Sequence, residues 1–456
     1  MISSFSRKIQ CFKTYTLVIG GGLGCYRAIN EATKYGKTVF LENENISANN
    51  YYEIEYLSAV SRKYYQTSNE LIKLGIHLNS KPKIDLRQIQ AKKRFLMISK
   101  LMNLTKTKHE KGDFYIKDFN NVIVKRKNNE EVLYNTKRII FVNGNHDILP
   151  SEYQIDEKLI HSSSSILKLT KVPKHLIIIG GGSTGLEVGT IWKSFGAKVS
   201  ICDISKHIGG KEIDKESSKT LMTSMKKKGF NFYLGENPIL NKKDDSIEVK
   251  IGDKVIQGDH ILISIGHKPN TNIFNDLKIK MNNNYLINVN KRYETNIPNI
   301  YALGDIIGSK SPQETEIQAK ECILMINGKN IKFDHSLIPI IIRTNPGFAK
   351  VGINEEDARL QGIKYKVGRS YYRANSRART ILETDGFVKW ICSPEGIVLG
   401  MTVVGPNVQD AIKEGIISIQ RGLNISDVAR VIRPHPTLSE IITDSSKSVL
   451  GTGIHS

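Results

Sequence analysis

The chain has 456 residues, 39% of them hydrophobic, enough for two or three domains with buried cores. No stretch approaches the roughly 20 uninterrupted apolar residues a membrane helix needs, so the sequence reads as soluble or peripheral. A net charge of +21 is high for a metabolic enzyme and points to an acidic partner such as RNA, anionic lipid or an acidic protein surface.

The first thirteen residues, MISSFSRKIQCFK, are serine-rich, basic and free of acids, the pattern of a short mitochondrial targeting segment. This favours a mitochondrial over a cytoplasmic location. An apolar strand then begins near Tyr15. The segment TLVIGGGLGCYRAINEATKYGKTVFLE reads as strand, glycine turn, helix, second strand and terminal acid, the order of a dinucleotide-binding βαβ unit. Gly20 and Gly22 stand at the first two glycine positions and Glu42 at the ribose-binding acid, but Cys25 replaces the third glycine. Its side chain is expected to push helix from strand, with Gly24 easing the strain.

Between Arg87 and Arg138 basic residues recur with few acids, as in Lys92-Lys93-Arg94 and Lys125-Arg126-Lys127. They read as a solvated face or a salt-sensitive RNA contact, although no RNA-binding motif accompanies them. A glycine turn follows at Phe141–Gly144.

A second βαβ unit runs through LIIIGGGSTGLEVGTIWKSFGAKVSICD, where Gly180, Gly182 and Gly185 complete GxGxxG. The first glycine permits the turn, the second lets backbone approach a pyrophosphate, and the third lets helix and strand pack closely. The helix N-terminus offers unpaired N–H groups to the phosphates. Asp203 suits the two adenosine ribose hydroxyls and would repel a 2′-phosphate, which favours NAD(H) over NADP(H). Further signatures are SIGHKPNT, containing Gly266, and TNIPNIYALGD, ending at Asp305. From about Leu337 the glycine fingerprints give way to strand-like runs and two helices, near Gln409–Gly422 and Ser426–Ile432, an α+β pattern.

Five cysteines lie far apart with no CxxC or CxxxxC pair, which speaks against a local redox disulfide or a zinc site and suits a reducing compartment. No metal site is expected.

Over residues 15 to 450 these motifs, together with ANSRARTILETDGFVK and HPTLSE, resemble the pyridine nucleotide-disulfide oxidoreductase class of flavoproteins, and within it dihydrolipoamide dehydrogenase. The resemblance implies an α/β fold of two Rossmann-like domains, an NAD domain (151–270) inserted in an FAD domain (14–150 and 271–335), and a C-terminal α+β dimerisation domain (336–456) after a targeting segment (1–13). It implies an FAD site at Gly20, Gly22, Glu42, Gly144 and Asp305. An NAD site follows at Gly180, Gly182, Gly185, Glu187, Asp203 and Gly266, with Glu187 near the nicotinamide. His435 and Glu440 correspond to the proton-transfer pair that the family presents to its dimer partner. Thr437-Leu438-Ser439-Glu440 is equally a helix-capping sequence, and Arg433, where the family has histidine, puts a permanent cation near the pair.

The departure lies after Glu42. The family places there a glycine-rich loop, a CxxxxC pair on a helix and a lysine near the flavin. Asn43 to Tyr65, NENISANNYYEIEYLSAVSRKYY, has no cysteine, no glycine and no lysine at the matching place. Thiol-disulfide exchange needs a thiolate, which no other side chain here supplies, so dihydrolipoamide oxidation is expected to be absent. Two functions are compatible with this. One is a degenerate, structural subunit of a larger mitochondrial assembly, homodimeric through its C-terminal domain. The other is an FAD/NAD(H) oxidoreductase that needs no disulfide, such as an NADH diaphorase, oxidase or transhydrogenase.

Overall fold

The computed structural model describes residues 10–42, 51–102, 107–142, 144–243, 247–271, 274 and 277–453. Most of the expected targeting segment and Asn43–Asn50 lie outside them, as does Asn143 in the turn at Gly144. Two compact units emerge. One draws on Met1–Tyr51, Arg94–Ile148 and His267–His335; the other on Tyr52–Lys93, Leu149–Gly266 and Ser336–Ser456.

In the first unit β1 (Gln10–Gly20), α1 (Gly22–Ala32) and β2 (Thr38–Glu42) follow the expected order. Parallel strands run Lys108–Lys111, β2, β1, Glu131–Val142 and Ile300–Leu303, and an antiparallel pair, Asn121–Lys125 and Asp113–Ile116, joins the first half of Glu131–Val142. Side chains alternate across the sheet with a period of two. Leu17, Ile19, Leu41 and Phe141 pack with Phe274 and Ile306, whereas Val18, Phe40 and Ile140 meet Ala28, Ile29 and Ile323 on the other face. Strand β1 begins earlier than the sequence suggested: Gln10 to Thr14 pair with Val132 to Thr136, so the last residues of the segment read as targeting are part of the sheet.

The second unit contains α2 (Tyr51–Tyr65), then β3 (His175–Ile179), α3 (Ser183–Ser194) and β4 (Lys198–Asp203). Its parallel sheet has the order Phe230–Leu234, β4, β3, His260–Ile263, Ile160–His161. Leu176, Ile177, Ile178 and Ile179 are all buried, as a continuous apolar run in a two-face-covered sheet should be. The C-terminal part is an antiparallel sheet ordered Ile340–Ile342, Gly347–Gly352, Val398–Gly405, Phe387–Cys392, Lys366–Tyr371. Its helices include Val408–Gln420 and Ile425–Arg430, close to their expected bounds, and Glu440–Val449, which starts at the glutamate of the capping sequence. That helix packs onto the sheet, where Trp390 Nε1 donates to Ser445 Oγ at 3.0 Å.

One charged side chain is fully enclosed. Lys389, 1% exposed, donates to Glu216 at 2.8 Å and Glu355 at 2.9 Å and lies 3.5 Å from Asp214, which also caps helix Lys215–Lys227. Burial pulls its pKa down, but the three carboxylates outweigh that and hold the ammonium charged. Removing the cation strands buried anions, so Lys389→Met should lower stability by about 3–5 kcal/mol in urea unfolding; a loss below about 1 kcal/mol would show that the cluster is dispensable.

Candidate functional site

Backbone proximity builds the turn of the second unit. Gly180 has φ +108°, and a Cβ there would lie 2.0 Å from the Ser264 carbonyl oxygen; a Cβ on Gly185 would lie 2.1 Å from the carbonyl of Gly180. Only glycine fits either place. Gly182 caps α3, and a Cβ there would meet open space, leaving room for a phosphate to approach. Asp203 accepts N–H groups from Gly181 at 2.5 Å and Ser205 at 2.7 Å, one on each oxygen, which fixes the carboxylate with lone pairs remaining for ribose hydroxyls. Gly266, φ +123°, follows Ser264, whose N–H bonds Ile179 O at 2.7 Å.

Glu187 sits one turn into α3 and is buried. Burial pushes its pKa up, opposed by Arg343, whose backbone N–H it accepts at 2.8 Å and whose guanidinium lies at 3.6 Å. The same guanidinium reaches Glu55 of α2. The helix is tied by other ion pairs too, Glu53 with the buried Lys93 at 3.1 Å and Arg62 with Glu383 at 3.0 Å. It carries no cysteine. All five cysteines fall among the described residues and all are free, Cys11 exposed and the other four buried.

The first unit's turn has a different backbone. Gly20 is again tight, with a Cβ placed 2.2 Å from Val142 O, but α1 starts at Gly22, which has φ +83°, whereas Gly182 has φ −72°. Cys25 follows within α1, its fully buried thiol pushed up in pKa by burial and, less, by Glu42. Gly24 serves a different purpose from strain relief at the turn: its missing Cβ would strike Thr315 Cγ2 at 2.2 Å, so it is where α1 meets helix Pro312–Ile326. Glu42 is taken by its own sheet neighbour, accepting from His109 Nε2 and from Lys111 Nζ, both at 3.0 Å. His109 holds its carboxyl below the usual range despite burial, with Lys111 adding to the effect.

Gly144 accepts the Asn270 N–H at 3.2 Å, beside a short pairing of Asn145–Asp147 with His267–Pro269. Asp305, after strand Ile300–Leu303, is pushed up to about 6 by burial, against the pull of His267 and the Asn145 N–H. A flavin nucleotide would find its strand-end acid in Glu42, its phosphate turn at Gly20 and Gly22, and its further carboxylate in Asp305.

His435 and Glu440 are brought together at 2.8 Å, with Glu440 also accepting the Thr437 N–H at 2.9 Å, so one carboxylate both orients the imidazole and begins a helix. The imidazole is exposed. Arg433 is turned away from the pair: its side chain, 4% exposed, meets Glu414 at 2.8 Å and Thr443 Oγ1 at 2.7 Å. The basic region is likewise partly neutralised, as Lys93 meets Glu53, Lys111 meets Glu42, and Lys108 and Arg126 share Glu110, whose carboxyl falls to about 2 despite burial because Arg126, Lys108 and Tyr134 bond it. Among the described residues no group of three or more His, Cys, Asp or Glu is placed to hold a metal, and no helix is long and apolar enough to cross a membrane.

Two parallel sheets, each with a glycine turn and strand-end acid, followed by an antiparallel C-terminal sheet, define a two-dinucleotide-site flavoprotein fold. The chain belongs to the pyridine nucleotide-disulphide oxidoreductase family, which matches residues 14–321, and its dimerisation domain matches residues 338–446. It is similar to the mitochondrial dihydrolipoyl dehydrogenases of Caenorhabditis elegans (31% identity, 94% of this chain and 91% of that protein), Mesocricetus auratus (33%, 93% of each) and Homo sapiens (32%, 94% and 89%). Among solved structures, LpdA from Mycobacterium tuberculosis (21% identity, TM-score 0.84, 95% of this chain and 99% of that one) and the HOCl-induced flavoprotein disulfide reductase RclA from Escherichia coli (20%, 0.83, 95% and 99%) share the fold.

The burial of Asp305 has a consequence for stability. Its pKa is about 6 when folded against an ordinary 3.8, so it favours the folded state below about pH 4 and that contribution is lost as pH rises through 6. Asp305→Asn should be more stable than the parent by about 1–3 kcal/mol at pH 7.5, the gap closing by pH 4. Equal stability at both pH values would show that the carboxylate is not strained by burial.

Proposed function

We propose that this chain is a dihydrolipoamide dehydrogenase-like protein that has lost dihydrolipoamide oxidation and acts as a homodimeric structural subunit of a larger mitochondrial assembly. One observation carries the reading: α2 has no cysteine, none occurs between Glu42 and its start, and all five thiols lie elsewhere, four of them buried. A dithiol substrate is oxidised by exchange with a protein disulfide, and that exchange starts from a thiolate; buried thiols with raised pKa values supply none. The mitochondrial dehydrogenases among its relatives support the location. The match to the family's dimerisation domain supports the dimer, and the positive charge suits an acidic partner.

Membership of the family implies sites for FAD and NAD(H). Asp203 favours NAD(H) over NADP(H). The intact turn at Gly180, Gly182 and Gly185 also supports a second reading, an NAD(H) oxidoreductase in which bound flavin would supply the redox chemistry without a disulfide. The purified protein should show NAD-dependent dihydrolipoamide oxidation no higher than a blank. Activity above background would overturn the loss of function. Flavin absorbance bleached by NADH would favour the second reading over the first, whereas a colourless, folded protein that stays with large particles through salt washing would favour the scaffold.

A further inference from the structure

The parallel sheet of the second unit ends in a strand of two residues. Ile160 and His161 pair with Ile261 and Leu262, and the Ile261 N–H bonds Leu159 O at 2.8 Å. So brief a ladder leaves this edge dependent on what else holds it, and two imidazoles do so. His161 Nε2 and His260 Nδ1 face each other at 2.9 Å, and Nδ1 of His161 bonds Ser165 Oγ at 2.8 Å. Strand Ile160–His161 and helix Ser163–Ile166 are thereby fastened to the start of strand His260–Ile263. His161 is 1% exposed.

Two facing ring nitrogens share one proton, since one donates and the other accepts. A first added proton leaves that bond intact, because an imidazolium still donates to a neutral imidazole. A second puts a proton on both facing nitrogens, and the rings repel. Burial, and for His161 also the neighbouring His260, moves both pKa values below the ordinary 6.5. Asp156 and the Lys158 backbone oppose this at both rings, joined by Glu157 at His161 and by Asp259 at His260. Asp156 is itself held below the usual range, despite burial, by Lys242 and three backbone N–H groups; Asp259 accepts the N–H groups of Lys174 and His175. His175, bonded to Ser200 Oγ at 2.9 Å, is also lowered by burial and adds a pH dependence of its own to β3.

We propose that His161 and His260 form a proton-sensitive clasp on the edge of this sheet, which holds strand Ile160–His161 and helix Ser163–Ile166 in place at neutral pH and releases them in acid. Strand His260–Ile263 keeps its pairing with β3, so release bares its outer edge and leaves the sheet standing. Both rings bind protons more weakly in the folded chain than in the unfolded one. The clasp's contribution is therefore complete above about pH 6.5 and is lost as pH falls below that value.

Hydrogen exchange of the full chain at pH 7.5 and pH 5, read by mass spectrometry as protection relative to the unfolded-chain rate at each pH, tests this. Peptides covering the edge (158–166) and strand His175–Ile179 are compared, the second reporting any loosening of the sheet as a whole. On going to pH 5 the edge should lose about tenfold more protection than that strand, the size of one lost buried hydrogen bond. His161→Gln, which leaves a single imidazole, should remove the excess. His260→Gln should cut it to about threefold or less, and this variant decides the matter if His161→Gln does not fold. Equal losses at the edge and at His175–Ile179 in the parent overturn the proposal. So does a full tenfold excess that persists in His260→Gln, which would assign the effect to His161 alone and not to the pair.

Discussion

Two backbone approaches govern the second unit: Gly180 against the Ser264 carbonyl and Gly185 against the Gly180 carbonyl. Each leaves no room for a side chain. Together they bring β3, α3 and strand His260–Ile263 into close approach, and the Gly181 N–H just before α3 bonds Asp203 at 2.5 Å. The first unit keeps the first of these approaches, Gly20 against the Val142 carbonyl, and differs at the third position. Cys25 stands there, α1 begins at a left-handed Gly22, and Gly24 packs closely against Thr315. A doubly wound sheet tolerates that change, since its core is formed by alternating strand side chains rather than by the turn.

The helix that would carry a redox pair is held by charges. Glu53, Glu55 and Arg62 pair with Lys93, Arg343 and Glu383, anchoring three points along α2 to its own unit. Such pairs keep a helix in place at a modest gain in stability, because desolvation offsets much of the attraction. They supply no electrons. His435 and Glu440 are paired at 2.8 Å, and an oriented imidazole moves protons, not electrons.

Local pattern made much of this legible. The glycine spacing, the strand-end acids Glu42 and Asp203, and the order of the motifs announced the two parallel sheets and the α+β end, because each rests on residues within one βαβ unit. Contacts across long sequence separations were hidden. Lys111 and His109 reach Glu42 only because Lys108–Lys111 pairs with β2, and the polar residues Gln10 and Lys13 gave no sign that they extend β1. Nothing in the local sequence of Lys389 announced the three carboxylates from two other segments that enclose it. Arg433 stands near His435 and Glu440 in sequence but pairs with Glu414 instead.

Counting thiols tests most directly the proposal that no disulfide lies on a path of electrons through this chain. Protein purified without reductant and denatured should titrate five thiols with Ellman's reagent, the number of cysteines in the sequence. Prior anaerobic reduction with excess NADH or borohydride, followed by removal of the reductant, should add none. Three thiols before reduction and five after it would reveal a reducible disulfide and contradict the account.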